Sequence, residues 1–411
     1  MKAPARERRV RARPAEQLAR VLEVLRVALG LGLTSFGGPI AHLGYFERVY
    51  VRTRRWLSAG EYANLIALCQ VLPGPTSSQV GFLIGWQRAG WLGALAAWLG
   101  FTLPSALLLY LCALLSARVH GSFAEAAIHG LKLITVAVVA QALWSMARRL
   151  AQDRVTATLA VAAGALPLCI GSGGAQLAAL VVGVIGGLLW CRPLSEREGV
   201  AAFGISSRVA YAALVLFVLL LVALPIIAAH DPRSSFGLGA VFYRSGALVF
   251  GGGHVVLPLL RDALVPSGWL SDDRFLSGYG LAQAVPGPLF SVAAYLGAEA
   301  YAPEPLRGAL VAIVCIFLPG LLIAIAGVSL WGRLARHARV RSALTGINAA
   351  VVGILGAALY NPVWIAGVRN GTDAAIAVSA LVLLERWSAP PILVLLWCVL
   401  WSVAAAAWMN Q

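Results

Sequence analysis

The chain has 411 residues, of which 60% are hydrophobic and only 12% are charged, and its mean hydropathy is +0.82. A soluble domain carries about twice that charged fraction. The composition therefore excludes a soluble globular protein and predicts an all-α polytopic membrane protein, because a helix satisfies its own backbone hydrogen bonds in hydrocarbon. The net charge of +15 comes mostly from arginines in short connections between apolar segments. This distribution is typical of cytoplasmic loops and contact with the lipid bilayer, and it argues against nucleic-acid binding.

The first 20 residues form a basic tail, which we expect to be cytoplasmic because no small-residue cleavage site follows the first apolar run. Thirteen apolar segments follow, most of them about 20 residues long, which is enough to cross a hydrocarbon core of about 30 Å. They lie at 21–46, 61–87, 90–116, 124–147, 155–171, 174–191, 209–229, 238–260, 274–300, 307–332, 343–360, 372–384 and 390–409.

An internal repeat divides these segments into two related halves. The matched stretches, always 213 to 215 residues apart, are Phe36–Gly38 with Phe250–Gly252, Gln70–Pro75 with Gln283–Pro288, and Gly93–Pro104 with Gly308–Pro319. Several matches in the same order at nearly constant spacing indicate a duplication. We therefore predict an N-terminal transporter repeat at 21–200, a linking membrane segment at 201–235 and a C-terminal transporter repeat at 236–411.

The two repeats are expected to be inverted. Six segments in each half and one unmatched segment at 209–229 start the second half on the opposite side of the membrane. The arginines of the later loops then lie in the cytoplasm, as the positive-inside rule requires. The arginines between 48 and 55 lie outside if the first segment crosses fully, and inside if the first two segments are re-entrant hairpins. Both alternatives stay open at this point.

Each half contains a Pro-Gly-Pro motif inside an apolar segment, at Pro73–Pro75 and Pro286–Pro288. Proline removes an amide donor and clashes with the preceding turn, and glycine adds backbone freedom, so the helix must break there. The half-helix that begins after the break directs free N–H groups and its positive dipole end into the membrane interior, where they can bind an anion. A packing kink is the alternative for any single break, but doubled breaks at matching positions favour a binding site.

The candidate substrate-binding residues are therefore those of the breaks and a few polar neighbours. They are Gly37, Gly38, Pro39, His42, Gln70, Pro73, Gly74, Pro75, Thr76, Ser77, Lys132, Gly251, Gly252, Gly253, His254, Gln283, Pro286, Gly287, Pro288 and Ser291. Lys132 either balances the charge of an anion or extends its amine towards the membrane surface. His42 and His254 either relay protons or serve as hydrogen-bonded structural residues.

The motif inventory argues against an enzyme. The six cysteines stand singly in apolar segments, without a CxxC pair or a histidine at metal-ligand spacing, so we expect no metal and no cofactor. The sequence has no GxxxxGK[ST] loop for ATP and no HExxH or GxSxG constellation.

Five stretches resemble the chromate ion transporter family in its long, two-domain form. They are FGGPIAHLGYF at Phe36–Phe46, RRWLS at Arg54–Ser58, LPGP at Leu72–Pro75, FGGG at Phe250–Gly253 and PGPLF at Pro286–Phe290. The resemblance covers nearly the whole chain outside the basic tail. It implies a carrier of the bacterial inner membrane, built from halves of opposite orientation, that exports chromate and confers resistance.

We therefore expect a secondary transporter that binds chromate at the broken helices and works by alternating access of the two repeats. Sulfate or another oxyanion, taken up or exchanged, is the alternative within this class, since sulfate has the same shape and charge. A channel and a membrane-embedded enzyme acting on a lipid phosphate are weaker alternatives. The sequence leaves the coupling ion and the oligomeric state open, a homodimer being one alternative.

Overall fold

The computed structural model describes residues 14–116, 122–170, 174–193, 205–250, 253–334 and 337–409, and every regular element in these ranges is helical. The helices are α1 (Pro14–Thr34), α2 (Gly38–Phe46), α3 (Ala59–Val71), α4 (Thr76–Ser116), α5 (Ser122–Leu150), α6 (Arg154–Ile170), α7 (Ala175–Trp190), α8 (Ser207–Ala228), α9 (Ser235–Ala247), α10 (Val256–Leu264), α11 (Asp272–Ala284), α12 (Val292–Ala300), α13 (Pro305–Leu334), α14 (Ala338–Ala358), α15 (Ile365–Gly367), α16 (Gly371–Glu385) and α17 (Pro391–Met409). Four short π-helical or 3-10 turns adjoin these helices, at Glu47–Thr53, Gly253–Val255, Leu289–Ser291 and Leu359–Trp364.

The helix breaks fall where the glycine and proline motifs predict them. Between α1 and α2, Gly37 and Gly38 have φ angles of +98° and +78°, a region that residues with a Cβ rarely adopt. Between α3 and α4, Gly74 has a φ of +117°, and between α11 and α12 its repeat counterpart Gly287 has a φ of +106°. The fourth break lies between α9 and α10 and includes Gly251 and Gly252, which are outside the described residues.

The first two segments turn back on themselves. Glu23, midway along α1 and near the start of the first apolar segment, lies 3.6 Å from Arg54, after α2, and 2.9 Å from Arg88, near the end of the first part of α4. The Arg88 guanidinium also lies over the ring of Trp56, 5.3 Å from its centroid. Both ends of the α1–α2 segment and of the α3–α4 segment therefore lie at one face of the protein, which we call the Arg88 face. This geometry is that of re-entrant hairpins.

The second half has the same arrangement at another face. Arg233, just before α9, donates to the carbonyls of Ser267 and Gly268 at 2.8 and 3.2 Å. Its guanidinium lies 4.9 Å from the ring centroid of Trp269, just before α11, in a contact that repeats that of Arg88 with Trp56. Arg307, at the start of α13, donates to Ser235 at 3.0 Å. We call this the Arg233 face.

Helix α8 connects the two faces and makes the repeats inverted. It has 22 residues, or about 33 Å at 1.5 Å per residue, and it ends just before Arg233. Next to its start, Ile205 accepts a hydrogen bond from Ser329 near the end of α13. In turn, Gly327 of α13 packs against Leu72, at the end of α3. Helix α13 therefore runs from the Arg233 face towards the Arg88 face, opposite in direction to α4 after its kink.

In both halves the half-helix after the Pro-Gly-Pro motif packs back on the long helix that follows. Helix α4 is interrupted at Ala89 and Gly90, which lets Gly85 lie against the backbone of Gly93. In the second half, Gly297 of α12 lies in the same way against Gly308 of α13. A side chain at any of these glycines would overlap the facing backbone, so glycine is what permits this close approach.

In the described part of the chain, five helical stretches are long and apolar enough to cross a membrane: Thr76–Ser116, Glu125–Leu150, Ser207–Ala228, Pro305–Leu330 and Ala338–Gly367. Shorter apolar helices lie at Arg154–Ile170, Ala175–Trp190, Leu289–Ala300 and Pro391–Ala407. Large aliphatic side chains along α8, such as Val215, Leu219 and Val222, are exposed on the protein surface, as lipid-facing residues are. The protein is thus an all-α polytopic membrane protein, and thirteen as the number of membrane segments stays a prediction.

Candidate functional site: the centre where the helix breaks meet

The helix breaks of the two halves meet at one centre and bond to each other. The amide of Gly74, in the first Pro-Gly-Pro motif, donates to the carbonyl of Val249 at 2.7 Å. The amide of Gly287, in the second motif, donates to the carbonyl of Ser35 at 2.9 Å. Gly287 is the repeat counterpart of Gly74, and Val249 is that of Ser35. The two hydrogen bonds are therefore equivalent, as expected for inverted repeats that share a binding site.

Side chains on α4 and α12 reinforce this centre. The amide nitrogen of Gln79 donates to the carbonyl of Pro73 at 2.7 Å and to that of Gly320, on α13, at 2.9 Å. The hydroxyl oxygens of Ser105, on α4, and Ser291 lie 2.7 Å apart. Ser105 and Gly320 occupy equivalent positions of the repeat, because they directly follow the matched prolines Pro104 and Pro319. Ser105, in the first half, lies against the second Pro-Gly-Pro motif, and Gly320, in the second half, lies against the first.

The centre also contains buried polar atoms that have no hydrogen-bond partner in the described part of the protein. Among the described residues, the buried side-chain atoms without a hydrogen-bond partner include the Ser35, Ser78 and Thr102 hydroxyls and Oε1 of Gln79. Leaving such a group unpaired costs about 1–3 kcal/mol, so a bound molecule is expected to pair with it. Hydroxyl groups, which can donate, predominate in this set, as a ligand with several acceptor oxygens requires.

Helix starts add positive potential at the same place. Helix α4 begins at Thr76, and the side chains of Thr76, Ser77 and Ser78 in its first turn are all buried. Helix α2 begins at Gly38, and no side chain caps its start at Gly37. The first amides of a helix have no partner within the helix, and its dipole is positive at that end. These starts are suited to hold an anion within the membrane interior.

A cavity of about 600 Å³ leads to the centre. Its inner wall contains five predicted site residues: Gly37, Gln70, Thr76, Gly253 and His254. Its outer rim contains four exposed residues, Trp144, Arg148 and Arg149 at the C-terminal end of α5 and Glu385 at the end of α16, so the rim has more positive than negative charge. We call this cavity the basic vestibule.

The vestibule opens at the Arg88 face. Helix α4 crosses the protein after Gly90 and ends at Ser116, whose hydroxyl donates to Glu299. Glu299 pairs with Arg274 near the start of α11, so this end of α4 lies at the Arg233 face. Helix α5 then runs back, which returns the rim arginines to the Arg88 face.

The two candidate histidines occupy different environments. His42 is buried, its Nδ1 lies 3.4 Å from the Ser77 hydroxyl, and its ring meets Phe101 edge to face at 5.4 Å. His254 borders the vestibule, and its Nδ1 lies 2.9 Å from the Tyr279 hydroxyl. His42 thus belongs to the buried centre, whereas His254 lies on the path towards it.

Lys132 is set apart from the centre. Its side chain is only 3% exposed, and its amine lies 2.6 Å from a carboxylate oxygen of Asp273. Asp273 is in the first turn of α11, at the Arg233 face. The charge of Lys132 is therefore balanced by a protein carboxylate, and Lys132 is not part of the vestibule wall.

The remaining candidates lie in the breaks. Pro39 follows the first break, Pro73 and Pro75 flank Gly74, Pro286 and Pro288 flank Gly287, and Gln283 is in the last turn of α11, before the second Pro-Gly-Pro motif. Sequence reasoning missed Ser35, Thr102 and Ser105. A signal for them exists, because Ser35 directly precedes the repeated FGG motif, while Thr102 and Ser105 flank Pro104, the last residue of a matched stretch.

Comparison with known proteins gives a family. The model of the chromate transporter family matches residues 22–190 and again residues 236–403, starting in each half at equivalent positions of the repeat. The chromate transport protein of Pseudomonas aeruginosa is 28% identical over 332 residues, which are 80% of this chain and 78% of that protein. The chromate transport protein of Cupriavidus metallidurans is 26% identical over 364 residues, 86% and 84% of the two chains.

An uncharacterized transporter of Methanocaldococcus jannaschii is 24% identical over 344 residues, 81% of this chain and 82% of that one. No solved structure matches the chain. The family match covers most of the residues in both halves, including all the motifs that form the centre, and the chain therefore belongs to the chromate transporter family.

Proposed function

We propose that the protein is a secondary transporter that exports chromate from the cytoplasm across the bacterial inner membrane and thereby confers resistance. The observation that carries this proposal is the set of unpaired donors at the centre, beside the starts of α2 and α4. Chromate is a tetrahedral dianion with four acceptor oxygens. The hydroxyls of Ser35, Ser78 and Thr102 and the first-turn amides of α4 would replace its hydration shell.

The basic vestibule supports export as the direction of transport. Loops rich in arginine face the cytoplasm, which assigns the Arg88 face, with Arg148 and Arg149 at the rim, to the cytoplasmic side. A dianion would be attracted to this rim and then pass His254 to reach the centre. Rocking of the inverted repeats about the centre would close the vestibule and open a path at the Arg233 face.

Sulfate is the second candidate cargo. A centre built from hydrogen-bond donors and helix starts matches the shape and charge that sulfate and chromate share. The structure gives no support to the alternative of an enzyme acting on a lipid phosphate, because the two acidic residues proposed as metal ligands pair with basic side chains. Asp272 accepts two hydrogen bonds from Arg261, at 2.9 and 3.0 Å, and Asp273 pairs with Lys132.

The test is uptake of radiolabelled chromate into everted membrane vesicles, whose cytoplasmic face is outside, with sulfate as competitor. We expect saturable accumulation that depends on the protein. Thr102→Val and Ser78→Ala each remove one donor to a charged ligand, an interaction of about 1.5–3 kcal/mol, and should raise KM about tenfold or more. Ser329→Ala is the matched control, because that hydroxyl bonds to Ile205, about 13 Å along α13 from Gly320.

Three outcomes decide the proposal. Absence of chromate accumulation with intact protein would refute chromate export. Accumulation of sulfate in place of chromate would establish the alternative cargo. If the donor variants and the Ser329→Ala control have equal KM values, the anion binds elsewhere than at the centre.

A further inference from the structure

A second cavity, of about 560 Å³, lies at the face opposite the basic vestibule. Ser267 and Trp269, which belong to the Arg233 face, form part of its wall. Leu248 and Ser245 bring the cavity to the break between α9 and α10. The two cavities thus approach the centre from opposite sides, and none of the predicted site residues that the structure describes lines this second one.

Arg244 is the cationic side chain that α9 directs into this cavity. Most of the residues around it on the helix are buried, including Phe242, Tyr243 and Ser245, whereas Arg244 is exposed. It is the tenth residue of α9, about 14 Å from the start of the helix at 1.5 Å per residue, which is roughly half the thickness of a hydrocarbon core. An arginine at such a depth is costly unless it faces water and a partner, and it usually marks an ion pathway.

No carboxylate of the described chain pairs with Arg244. Asp262 lies in the same cavity, but its carboxylate accepts a hydrogen bond from the side chain of Gln176 at 2.6 Å and lies 3.7 Å from Arg261. The repeat counterpart of Arg244 in the first half is Gly30, which has no side chain. The positive charge is therefore particular to this side of the protein and is available to a ligand.

A helix start reinforces the positive potential. Helix α7 has 16 residues, and its N-cap Gly174 makes no side-chain hydrogen bond to the first turn. Gly174, Gln176 and Leu177 line the cavity, so the uncapped end of the α7 dipole points towards it. The C-terminal end of α8, near Ala229, lies in the same wall. Its carbonyls at Pro225 and Ile227 accept hydrogen bonds from the amides of Ala229 and His230.

We infer that Arg244 and the start of α7 form a second binding site for a divalent tetrahedral oxyanion, on the side opposite the basic vestibule. This inference rests on the proposed function and deepens it, because the site would receive the anion as it leaves the centre. A phospholipid headgroup offers the same phosphate-like chemistry. The depth of Arg244 below the Arg233 face favours a free anion, because headgroups stay at the membrane surface.

The test uses the full-length protein in right-side-out vesicles, where chromate added outside meets the Arg233 face. Arg244→Gln removes the charge, Arg244→Lys keeps it, and Arg208→Gln makes the same charge change at the exposed start of α8, outside the cavity. Inhibition of export by external chromate measures occupation of the second site. We expect Arg244→Gln to raise the inhibitory concentration about tenfold or more, Arg244→Lys to retain most of the inhibition, and Arg208→Gln to behave as wild type.

The lipid alternative is tested in proteoliposomes of phosphatidylcholine alone and with phosphatidylglycerol. If the difference between Arg244→Gln and wild type depends on the anionic lipid and not on chromate, the site holds a headgroup and the inference is wrong. Equal inhibition of Arg244→Gln and Arg208→Gln also overturns it, with the proposed function untouched as long as export continues. Loss of chromate export in wild type would overturn the proposed function, and the inference with it.

Discussion

Replacing Gly74 by alanine tests whether the first helix break depends on its glycine. A φ of +117° costs a residue with a Cβ about 1–3 kcal/mol. The added Cβ would lie 2.7 Å from the Cα of Gly320 and 2.9 Å from the amide nitrogen of Gln79. The Gly320 backbone cannot rotate away, so α4 and α13 must separate, which weakens the Gly74–Val249 and Gln79–Gly320 hydrogen bonds. At about 1 kcal/mol for each hydrogen bond, the variant should lose about 2–5 kcal/mol of stability and most of its transport.

The assay combines thermal unfolding of the purified protein in detergent with chromate uptake into everted vesicles. Gly44→Ala is the matched control, since Gly44 lies in α2 with open space around its Cα, and alanine favours a helix by up to about 1 kcal/mol. Gly287→Ala should cost less than Gly74→Ala, because the closest atom, 2.8 Å away, is the Ser105 hydroxyl, which can rotate. If Gly74→Ala unfolds and transports like Gly44→Ala, the reasoning about the break is wrong.

Three further changes test other contacts. Asp273→Asn leaves the buried amine of Lys132 without its carboxylate and should lower the free energy of unfolding by about 1 kcal/mol. This is well below the cost in a fully buried pair, because the Asp273 side chain is 69% exposed. Adding Lys132→Met to Asp273→Asn should restore the melting temperature, and a further decrease would contradict the pairing. Ser58→Ala removes the capping box at the start of α3 and should cost about 1 kcal/mol, and an unchanged melting temperature would contradict this. Arg148→Gln with Arg149→Gln should raise KM for chromate at the cytoplasmic side and reduce its dependence on salt, whereas an unchanged salt dependence would exclude attraction of the anion by the rim.

The helix breaks could be predicted because their cause is local. A proline lacks an amide donor whatever surrounds it, and Gly74 and Gly287 stand at matching positions of a repeat that is visible in the sequence. The inverted arrangement followed from counting apolar segments. The re-entrant hairpins were left as one of two alternatives, since the decisive contacts of Glu23 with Arg54 and Arg88 join residues far apart in the chain.

The partners of charged residues could not be predicted for the same reason. Lys132 was a candidate for balancing an anion, but its carboxylate partner is Asp273, 141 positions later in the chain. Arg244 stood in an apolar segment without a motif, and only the packing of α7 and α10 around α9 reveals the cavity into which it points. Pairing and cavity walls depend on tertiary structure, whereas a helix break depends on the residues that form it.

The reciprocal hydrogen bonds at the centre have a consequence for biosynthesis. The Gly74 amide obtains its acceptor from Val249, and the Ser35 carbonyl obtains its donor from Gly287. At 5–20 residues per second, a ribosome needs roughly 9–35 seconds to pass from Gly74 to Val249. During that interval the newly inserted N-terminal half carries an open break in the bilayer, so a chain whose translation stops before Val249 should be a substrate for membrane quality control.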